Sequence, residues 1–453
     1  MHPEPNVGVR PEGGQGSLLI LALLAPIAGA ASGLLCAIFR LSLEEADAFR
    51  DALITRAHDA KLVGLLLVTA GSAGAVIIAA WVVRRYYPSA SGSGIPHVEA
   101  VLSGELPPAP CRLIPVKFFG GLLAIGAGLA LGREGPSVQM GAVIADVVGK
   151  ISRRPWSDRR VLLAAGAGAG LATAFNAPIA GAVFVLEELV RRFDARVAIA
   201  ALGASAGAIA VARVMLGPAP DFRVETLAYS GLRAWPFFVA LGALCGLVAA
   251  LYNGSLLGAI RIADRIGHWP VELRAGAVGA AVGLLAWFAP GLVGGGDQIT
   301  QRVLAGEAAA TTIPLAFLLR FGLGTVSYAA ATPGGLFAPM LVLGAQLGVF
   351  FGALCRAAFP GLGIDPIAFA VVGMAAFFTG VVQAPVTGIV LVTEMTGGFT
   401  MFLPMLGACF AAMLVANLMG TAPIYQSLRE RTARHRQPED LTPAAGGQSG
   451  NTR

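Results

Sequence analysis

Charged side chains are scarce in this chain, and their scarcity argues against a soluble protein. Only 13% of the 453 residues are Asp, Glu, Lys or Arg, while 56% are hydrophobic, and the mean hydropathy is +0.73. Soluble domains usually contain about 25% charged residues. Because a soluble fold could not bury this much apolar surface, the composition predicts membrane helices.

Residues that bind metals or form disulfides are also few. The five histidines are scattered through polar segments, and no Cys-x-x-Cys pair occurs among the five cysteines, which are Cys36, Cys111, Cys245, Cys355 and Cys409. The pattern excludes a disulfide framework, a zinc cluster and a haem pair. We expect no metal and no cofactor, and we interpret the cysteines as packing residues.

The formal net charge is +6, but the basic residues do not form a face for nucleic acid. They lie in short connections between apolar segments, at 84–85, 150–160, 191–192 and 429–436. Basic loops of this kind are typical of the cytoplasmic side of membrane proteins. We therefore expect the lipid bilayer, and not nucleic acid, as a partner.

Apolar segments follow one another along almost the whole chain. They cover roughly residues 17–39, 62–83, 112–131, 137–149, 160–174, 178–190, 195–216, 235–258, 271–292, 312–331, 339–359, 366–382, 385–396 and 400–420. A full span takes about 20 residues, and several segments are shorter. Short apolar segments favour the broken helices of transporters over a simple bundle of full spans.

Both ends of the chain are polar. Residues 1–16 precede an apolar run that is too long for the core of a signal peptide, so we expect 17–39 to be retained as the first membrane helix. Residues 429–453 are charged and then rich in Pro, Gly and Ser. This composition predicts a disordered tail that is too short for an appended soluble domain.

Glycine and proline interrupt the apolar chain in three short motifs, 92–96 (GSGIP), 132–136 (GREGP) and 335–339 (GLFAP). These residues break helices and free backbone N–H groups, which a bilayer tolerates only where the backbone is buried in protein or lines a cavity. Free N–H groups at helix N-termini bind anions. The motifs therefore predict an anion path that is built from broken helices.

The chain also contains an internal repeat. A shift of 339 − 136 = 203 residues aligns the second motif with the third, and a shift of 385 − 178 = 207 residues aligns the segments that follow. The matched pairs include Lys117 with Arg320, Gly141 with Gly344, Gly166 with Gly373, Asn176 with Gln383 and Glu187 with Glu394. We predict two halves of one fold that meet near 216–234, and matching interrupted segments point to a transporter binding site.

The three motifs, in this order and spacing, resemble those of the CLC family of chloride channels and proton-coupled chloride exchangers. The stretches 115–120 (PVKFFG) and 175–178 (FNAP), together with Tyr425, also match bacterial members. The resemblance implies an all-α polytopic membrane protein with the CLC-type fold, in which two inverted repeats bring broken helices to a central anion site. The domains it implies are a polar segment 1–16, a transmembrane domain 17–428 with halves of about 17–216 and 235–428, and a cytoplasmic tail 429–453.

Carried over residue by residue, the resemblance implies a chloride site of four groups. Ser93 and Tyr425 would donate hydroxyl hydrogen bonds, and Leu336 and Phe337 would donate backbone N–H groups. Such neutral donors can replace the water of a large, weakly basic anion without trapping it. The residues that would support the site are Gly92, Gly94, Arg133 and Gly135. Taken alone, Ser93 reads as a turn residue and Tyr425 as an interfacial anchor.

Glu134 lies inside an anion-binding motif, where a carboxylate conflicts with the anion. When ionised it can occupy the anion site and block it, and when protonated it can swing away. The resemblance makes Glu134 the gating residue and the outer proton acceptor. The alternative is an ion pair with Arg133, which neighbours in sequence cannot easily form while facing one site.

Glu187 and Glu188 end an apolar run, and carboxylates within a membrane are functional candidates by default. By alignment, Glu188 takes the place of the inner proton-transfer glutamate of the exchangers, where channel members generally carry an apolar residue. Glu187 matches the accompanying glutamate, and Glu394 is its structural repeat partner. The alternative for Glu188 is a surface position that leads into the basic pair 191–192.

Lys117 lies in an apolar neighbourhood, where a lysine needs a carboxylate partner or loses its proton. Family members have this lysine near the ion path, and Glu99 and Glu187 are candidate partners. We expect Arg320, its repeat counterpart, to be structural.

His97 stands where bacterial exchangers often carry an acidic residue, a change that we interpret as tolerated although it could alter proton access. It also lies four residues after Ser93, but no Gly-x-Ser-x-Gly elbow surrounds this serine. A hydrolase is therefore disfavoured, and we do not expect an enzyme.

The resemblance implies an H⁺/Cl⁻ exchange transporter, a homodimer in the bacterial inner membrane with both termini in the cytoplasm and a complete path in each subunit. The alternative is a passive gated chloride channel of the same fold, against which Glu188 argues. A fluoride exchanger is a remote alternative, because that branch alters the Ser93 motif and lacks Tyr425. Nitrate-selective relatives carry proline at the position of Ser93.

Overall fold

The computed structural model describes residues 15–224 and 231–436, and these ranges are helical apart from connections and isolated β-bridges. The helices of the first half are α1 (Gln15–Ala57), α2 (Lys61–Tyr86), α3 (Ile95–Leu102), α4 (Leu113–Gly126), α5 (Glu134–Ile151), α6 (Trp156–Phe175), α7 (Pro178–Phe184) and α8 (Ala195–Leu216). Those that follow are α9 (Trp235–Arg265), α10 (Val271–Phe288), α11 (Asp297–Leu304), α12 (Ile313–Ala329), α13 (Phe337–Ala358), α14 (Pro366–Val382), α15 (Pro385–Thr396), α16 (Phe402–Leu418) and α17 (Ile424–Arg436).

The distribution of apolar and charged side chains suits a lipid environment. Five helical stretches of the described ranges are long and apolar enough to cross a membrane: Leu18–Tyr86, Ala195–Leu216, Trp235–Arg265, Val271–Phe288 and Phe337–Ala358. Large apolar side chains such as Leu315 and Phe410 are exposed on helix surfaces, whereas Lys117, Glu134 and Arg320 are buried. Charged groups inside and apolar groups outside are expected where the surrounding solvent is hydrocarbon.

The order of helices α1–α8 is matched by that of α9–α16, as the internal repeat predicts. The short helices α3 and α11 occupy equivalent places, and each begins after a glycine with positive φ, Gly94 (φ 87°) and Gly296 (φ 103°). Glycine adopts this left-handed conformation without the steric cost that a Cβ brings. The two halves thus break their membrane helices at corresponding points.

Close helix contacts also recur at repeat-related glycines. Gly141 and Gly166 lie where α5 touches α6, and a Cβ on either would meet the carbonyl oxygen of the other. Gly344 and Gly373 do the same between α13 and α14. Small residues that let backbones approach are a common way to pack helices in lipid.

The repeat pair Asn176 and Gln383 ends equivalent helices. Each adopts a left-handed conformation at the C-terminus of its helix, with φ 48° after α6 and φ 62° after α14. Each side-chain amide then donates to a carbonyl oxygen in a later connection of its half, Asn176 to Ala219 at 2.7 Å and Gln383 to Thr421 at 2.6 Å. The similarity of these amides is therefore structural and not due to chance.

Glu187 and Glu394, the last of the repeat pairs, each bind the start of a helix in the other half. Glu187 accepts backbone N–H bonds from Val386 (3.0 Å) and Thr387 (2.6 Å) at the start of α15. Glu394, on α15, accepts backbone N–H bonds at the start of α7, from Ile179 (3.1 Å) and Ala180 (2.8 Å). Carboxylates at helix N-termini satisfy N–H groups that have no partner within the helix.

At the end of the chain, the structure differs from the expectation of a tail that is disordered from residue 429. Helix α17 runs from Ile424 to Arg436, so the predicted boundary at 428 falls inside a helix. Its buried side chains include Tyr425 and Leu428, and burial of this face holds the helix against the rest of the chain. Of the predicted segments 1–16 and 429–453, residues 1–14 and 437–453 lie outside the described residues.

Candidate functional site

The three glycine-rich motifs meet at one point, where α3, α5 and α13 begin. Gly132 and Gly335 exchange two backbone hydrogen bonds, with N···O distances of 2.9 and 2.7 Å. Gly92 donates to the carbonyl of Thr332 at 3.0 Å and accepts from the N–H of Gly334 at 3.1 Å. These short bridges fix the starts of three broken helices against one another and direct their free N–H groups to a common centre.

The carboxylate of Glu134 lies at this centre. It is fully buried, and its Oε1 accepts a hydrogen bond of 2.6 Å from the backbone N–H of Phe337, the first residue of α13. Its Oε2 has no hydrogen-bond partner among the described residues. The carboxylate thus takes up a helix N-terminal N–H group that an anion could otherwise bind.

The hydroxyl groups of Ser93 and Tyr425 are buried beside this carboxylate. Both residues are 0% exposed, so Tyr425 is not an interfacial anchor, and the Ser93 hydroxyl, although it follows a turn glycine, does not face solvent. The Tyr425 hydroxyl interacts with that of Ser93, yet neither makes a hydrogen bond of normal geometry to the described residues. Buried hydroxyls without partners are rare, and these two are free to donate to an anion.

Glycine is required around the Glu134 carboxylate because the backbone approaches it closely. A Cβ on Gly132 or on Gly335 would meet the carboxylate oxygens, and a Cβ on Gly135 would meet the backbone and hydroxyl of Ser93. The glycines of the motifs therefore create the space in which a carboxylate or an anion can lie.

Phe337 and Leu336 form the apolar wall of the site. Both are fully buried, and the Phe337 ring lies 4.7 Å from that of Phe378 and 6.1 Å from that of Tyr425, between ring centroids. Aromatic contacts of this kind hold side chains in one orientation. They exclude water from the centre, so its few polar groups act in surroundings of low dielectric.

Arg133 does not pair with Glu134, although the two are neighbours in sequence. Its guanidinium binds Asp297 at 2.6 Å and Asp221 at 3.2 Å, and Asp221 also binds Arg40 at 2.8 Å. Asp221 is almost fully buried, with 4% of its side chain exposed. This network directs the Arg133 charge away from the Glu134 carboxylate and leaves that carboxylate to the helix ends.

Lys117 is fully buried and binds backbone carbonyl oxygens. Its Nζ donates to Ala90 at 3.0 Å and to Gly92 at 2.7 Å. The candidate partners Glu99 and Glu187 are therefore not its hydrogen-bond partners in the described structure. The ammonium group instead fixes the carbonyls of the loop that leads into the first motif.

Arg320 repeats this arrangement in the second half. Its guanidinium donates to the carbonyls of Leu292 (3.1 Å), Gly294 (2.8 Å) and Gly295 (3.0 Å), in the loop before α11. The expectation that Arg320 is structural agrees with these contacts.

Glu188 is buried and not at the surface. It is 3% exposed and lies in a π-helical turn, Val185–Leu189. Its carboxylate binds Arg191 at 3.2 Å and interacts with the side chain of Glu99, which is 2% exposed. Tyr425 interacts electrostatically with both Glu188 and Glu134, the two carboxylates that the motifs single out.

A cavity of about 730 Å³ connects Ser93 with the surface. Its wall extends from Ser93 and His97 to the exposed residues Thr432 and Ala433, and it includes the charged side chains of Arg429 and Asp264. The Ser93 hydroxyl makes no hydrogen bond of normal geometry to His97 or to the other described residues, so the two do not form a nucleophile and base pair. The cavity gives an ion a route to the site from one side.

Two parts of the site were not found from the sequence. Tyr328 accepts a hydrogen bond of 3.3 Å from the backbone N–H of Ser93. In the sequence, its position near the end of an apolar segment is the one feature that distinguishes this tyrosine. Asp221 is a lone carboxylate in the connection between the halves, and no spacing relates it to the motif that contains Arg133.

Comparisons with known proteins agree with this architecture. The family model described as voltage gated chloride channel matches residues 73–417. The H(+)/Cl(−) exchange transporter ClcA of Cronobacter sakazakii is 38% identical over 438 residues, which cover 94% of this chain and 93% of the relative. The transporter of the same name from Vibrio cholerae is 39% identical over 385 residues, 82% of this chain and 81% of the relative.

Solved structures with a similar fold are also transporters of this kind. A slow cyanobacterial Cl⁻/H⁺ antiporter has a TM-score of 0.88 at 32% identity and covers 92% of this chain and 99% of its own. A eukaryotic CLC transporter, at 24% identity and a TM-score of 0.78, shares the fold over 92% of this chain. The family model and the relatives above 30% identity extend over most of the sequence, and the protein is therefore a member of the CLC family, with its all-α membrane fold of two inverted repeats and broken helices.

Proposed function

We propose that this protein is an H⁺/Cl⁻ exchange transporter. The observation that carries the proposal is the carboxylate of Glu134 on the N–H of Phe337, beside the free hydroxyls of Ser93 and Tyr425. One carboxylate and one anion thus compete for one set of donors. The relatives named H(+)/Cl(−) exchange transporter, at 38–39% identity, support this function.

The proposed chloride site consists of the hydroxyls of Ser93 and Tyr425 and the N–H groups of Leu336 and Phe337. A proton on Glu134 removes the charge that holds its carboxylate at the start of α13, because a neutral acid accepts hydrogen bonds more weakly than its anion. The side chain then leaves, and chloride takes its place. Since Glu134 must be protonated for chloride to enter, the two ions are coupled.

Glu188 is the proposed inner proton residue. It is buried, and Tyr425 interacts electrostatically with both Glu188 and Glu134, so a proton that is accepted at Glu134 can leave by way of Glu188. Chloride moves in the opposite direction past Ser93 and Tyr425. Protons and chloride therefore share the centre but use different routes at one end.

We further infer one transport domain that begins near residue 17 and includes helix α17, with halves of about 17–216 and from 235 onward, assembled as a homodimer with a complete path in each subunit. The bacterial relatives support a place in the cell inner membrane, and the basic loops support cytoplasmic termini. The protein is a transporter and not an enzyme.

The test is proton movement by proteoliposomes that carry a chloride gradient and no proton gradient. The wild type should move protons uphill, driven by chloride. The variant Glu188→Val should retain chloride flux and lose proton movement, because an alkyl side chain cannot carry a proton. Chloride flux without proton movement in the wild type would instead identify a passive channel and make Glu188 a bystander.

A further inference from the structure

Two buried carboxyl groups share a single close cation at the inner end of the proposed proton route. Glu99, on α3, and Glu188, in the π-helical turn, are 2% and 3% exposed. Their side chains interact with each other, and neither carboxyl oxygen of Glu99 makes a hydrogen bond of normal geometry to the described residues. Two adjacent carboxylates in a buried place cannot both be ionised cheaply, so such a pair retains a proton.

Arg191 is the cation that faces this pair most closely. Its guanidinium binds Glu188 Oε1 at 3.2 Å and lies 3.9 Å from Glu99 Oε1. The other charged groups near the pair are Arg429, on α17, and Glu187. Glu187 is engaged by the N–H groups at the start of α15. Among the described residues, Arg191 is therefore the charged group placed to hold both carboxyl groups of the pair.

The Arg191 side chain is held at three points. Its Nε donates to the backbone carbonyl of Glu188 at 3.2 Å, one Nη binds the Glu188 carboxylate, and the other donates to Gln426 Oε1 at 3.1 Å. Gln426 follows Tyr425 on α17. The backbone of Arg191 has φ 55°, a left-handed conformation that is uncommon for residues other than glycine. The planar guanidinium is thus fixed between the carboxyl pair and the helix that carries Tyr425.

We propose that Arg191 is a positioning residue for proton transfer, which holds Glu188 against Glu99 and links this carboxyl pair to helix α17. The proposal rests on the proposed function, because it assigns Glu188 to the proton route. Arg191 does not carry the proton itself. It keeps the Glu188 carboxylate in one orientation and stabilises the state in which the pair holds one proton and one charge.

The test compares Arg191→Gln with Arg191→Lys and with the matched control Arg192→Gln in chloride-loaded proteoliposomes. Arg192 is the next residue, is exposed, and loses the same charge on substitution. In Arg191→Gln we expect the ratio of proton to chloride flux to fall about tenfold, the effect of losing one hydrogen bond to a charged group. Arg191→Lys should restore most of the ratio, and Arg192→Gln should match the wild type.

A second arm places Arg191→Gln in the background of Glu188→Gln. Since Glu188→Gln itself removes proton movement, the readout is chloride flux, which should be the same in the double variant as in Glu188→Gln alone if Arg191 acts only through Glu188. An unchanged flux ratio in Arg191→Gln would overturn the proposal, as would an equal loss in Arg192→Gln or proton and chloride fluxes that fall in parallel. If the wild type itself moves no protons, the proposed function fails. If the wild type and Arg191→Gln both move protons in the same ratio to chloride, only the role of Arg191 is rejected.

Discussion

In the proposed function, one carboxylate competes with the transported anion at the centre of this protein. Glu134 accepts the N–H of Phe337, while the hydroxyls of Ser93 and Tyr425 beside it have no partner of normal geometry among the described residues. Gly132 and Gly335 leave the space that the carboxylate fills. At the level of single residues, the proposed gating therefore depends on whether the Glu134 carboxylate or a chloride ion binds the backbone N–H of Phe337.

Substitution of Glu134 by Gln tests this competition. The amide keeps the size of the side chain but removes both the charge and the proton acceptor. We expect Glu134→Gln to bind chloride more tightly than the wild type, by about fivefold or more, because the N–H of Phe337 is no longer held by an anion. Isothermal titration calorimetry measures the affinity, and proteoliposomes should show chloride flux without proton movement. Weaker chloride binding in Glu134→Gln would contradict the competition.

The identity of the single residues in the site was largely predictable from the motifs, because glycine, proline and a carboxylate rarely occur together in an apolar chain. Their partners were not. Lys117 binds the carbonyls of Ala90 and Gly92 instead of a carboxylate, since the broken loop supplies acceptors that the sequence does not reveal. Arg133 likewise binds Asp221, which is 88 residues away along the chain.

At the scale of helices, the symmetry of the fold is visible in the contacts at helix N-termini. Glu187 binds the N–H groups at the start of α15, together with the Thr387 hydroxyl at 2.7 Å, and Glu394 binds those at the start of α7. The side chains of one half thus complete the helices of the other. Both carboxylates should contribute to stability and not to transport.

The two carboxylates should differ in their effect on stability. Glu187 accepts three hydrogen bonds and Glu394 accepts two, so Glu187→Ala should destabilise the fold more than Glu394→Ala, with losses of about 1–3 kcal/mol. The midpoint of thermal unfolding in detergent measures the difference, with the exposed Glu307→Ala as control. Equal midpoints for all three variants would show that the exchanged contacts contribute nothing measurable.

Most helices could be predicted from the apolar segments, and three features could not. The segment 178–190 divides into α7 and a π-helical turn, Val185–Leu189, because the extra residue of the turn directs Glu187 and Glu188 to different partners. Helices α3 and α11 have eight residues each, which is too short for a hydropathy signal. Helix α17 contains many charged residues, so the sequence predicts a disordered tail from residue 429 where the structure has a helix.

At the scale of the whole molecule, an ion-pair network joins the two halves beside the site; Asp221 is almost fully buried in it, whereas the Asp297 side chain is 41% exposed. Asp221, in the connection between them, binds Arg40 on α1 and Arg133 before α5, and Arg133 binds Asp297 on α11. Through Asp221 and Arg133, this network relates the first helix, the second glycine-rich motif and the second half. Removal of one member leaves buried charges without compensation.

Asp221→Asn should therefore destabilise the folded protein by about 3 kcal/mol, the usual cost of breaking a buried ion pair. The midpoint of thermal unfolding in detergent measures the loss, which should be visible even where chloride flux persists. The exposed Asp59→Asn is the matched control. A changed flux ratio at an unchanged midpoint would show that Asp221 belongs to the proton route.

The exchange of Glu187 and Glu394 has a consequence for the origin of the chain. In a two-fold symmetric dimer, residue i of one subunit contacts residue j of the other, and the same contact occurs in reverse. The two glutamates and the helix ends they bind follow this rule within one chain. The interface between the halves has the form of a homodimer interface whose subunits have been joined, so either half alone would expose helix ends that only its counterpart can complete.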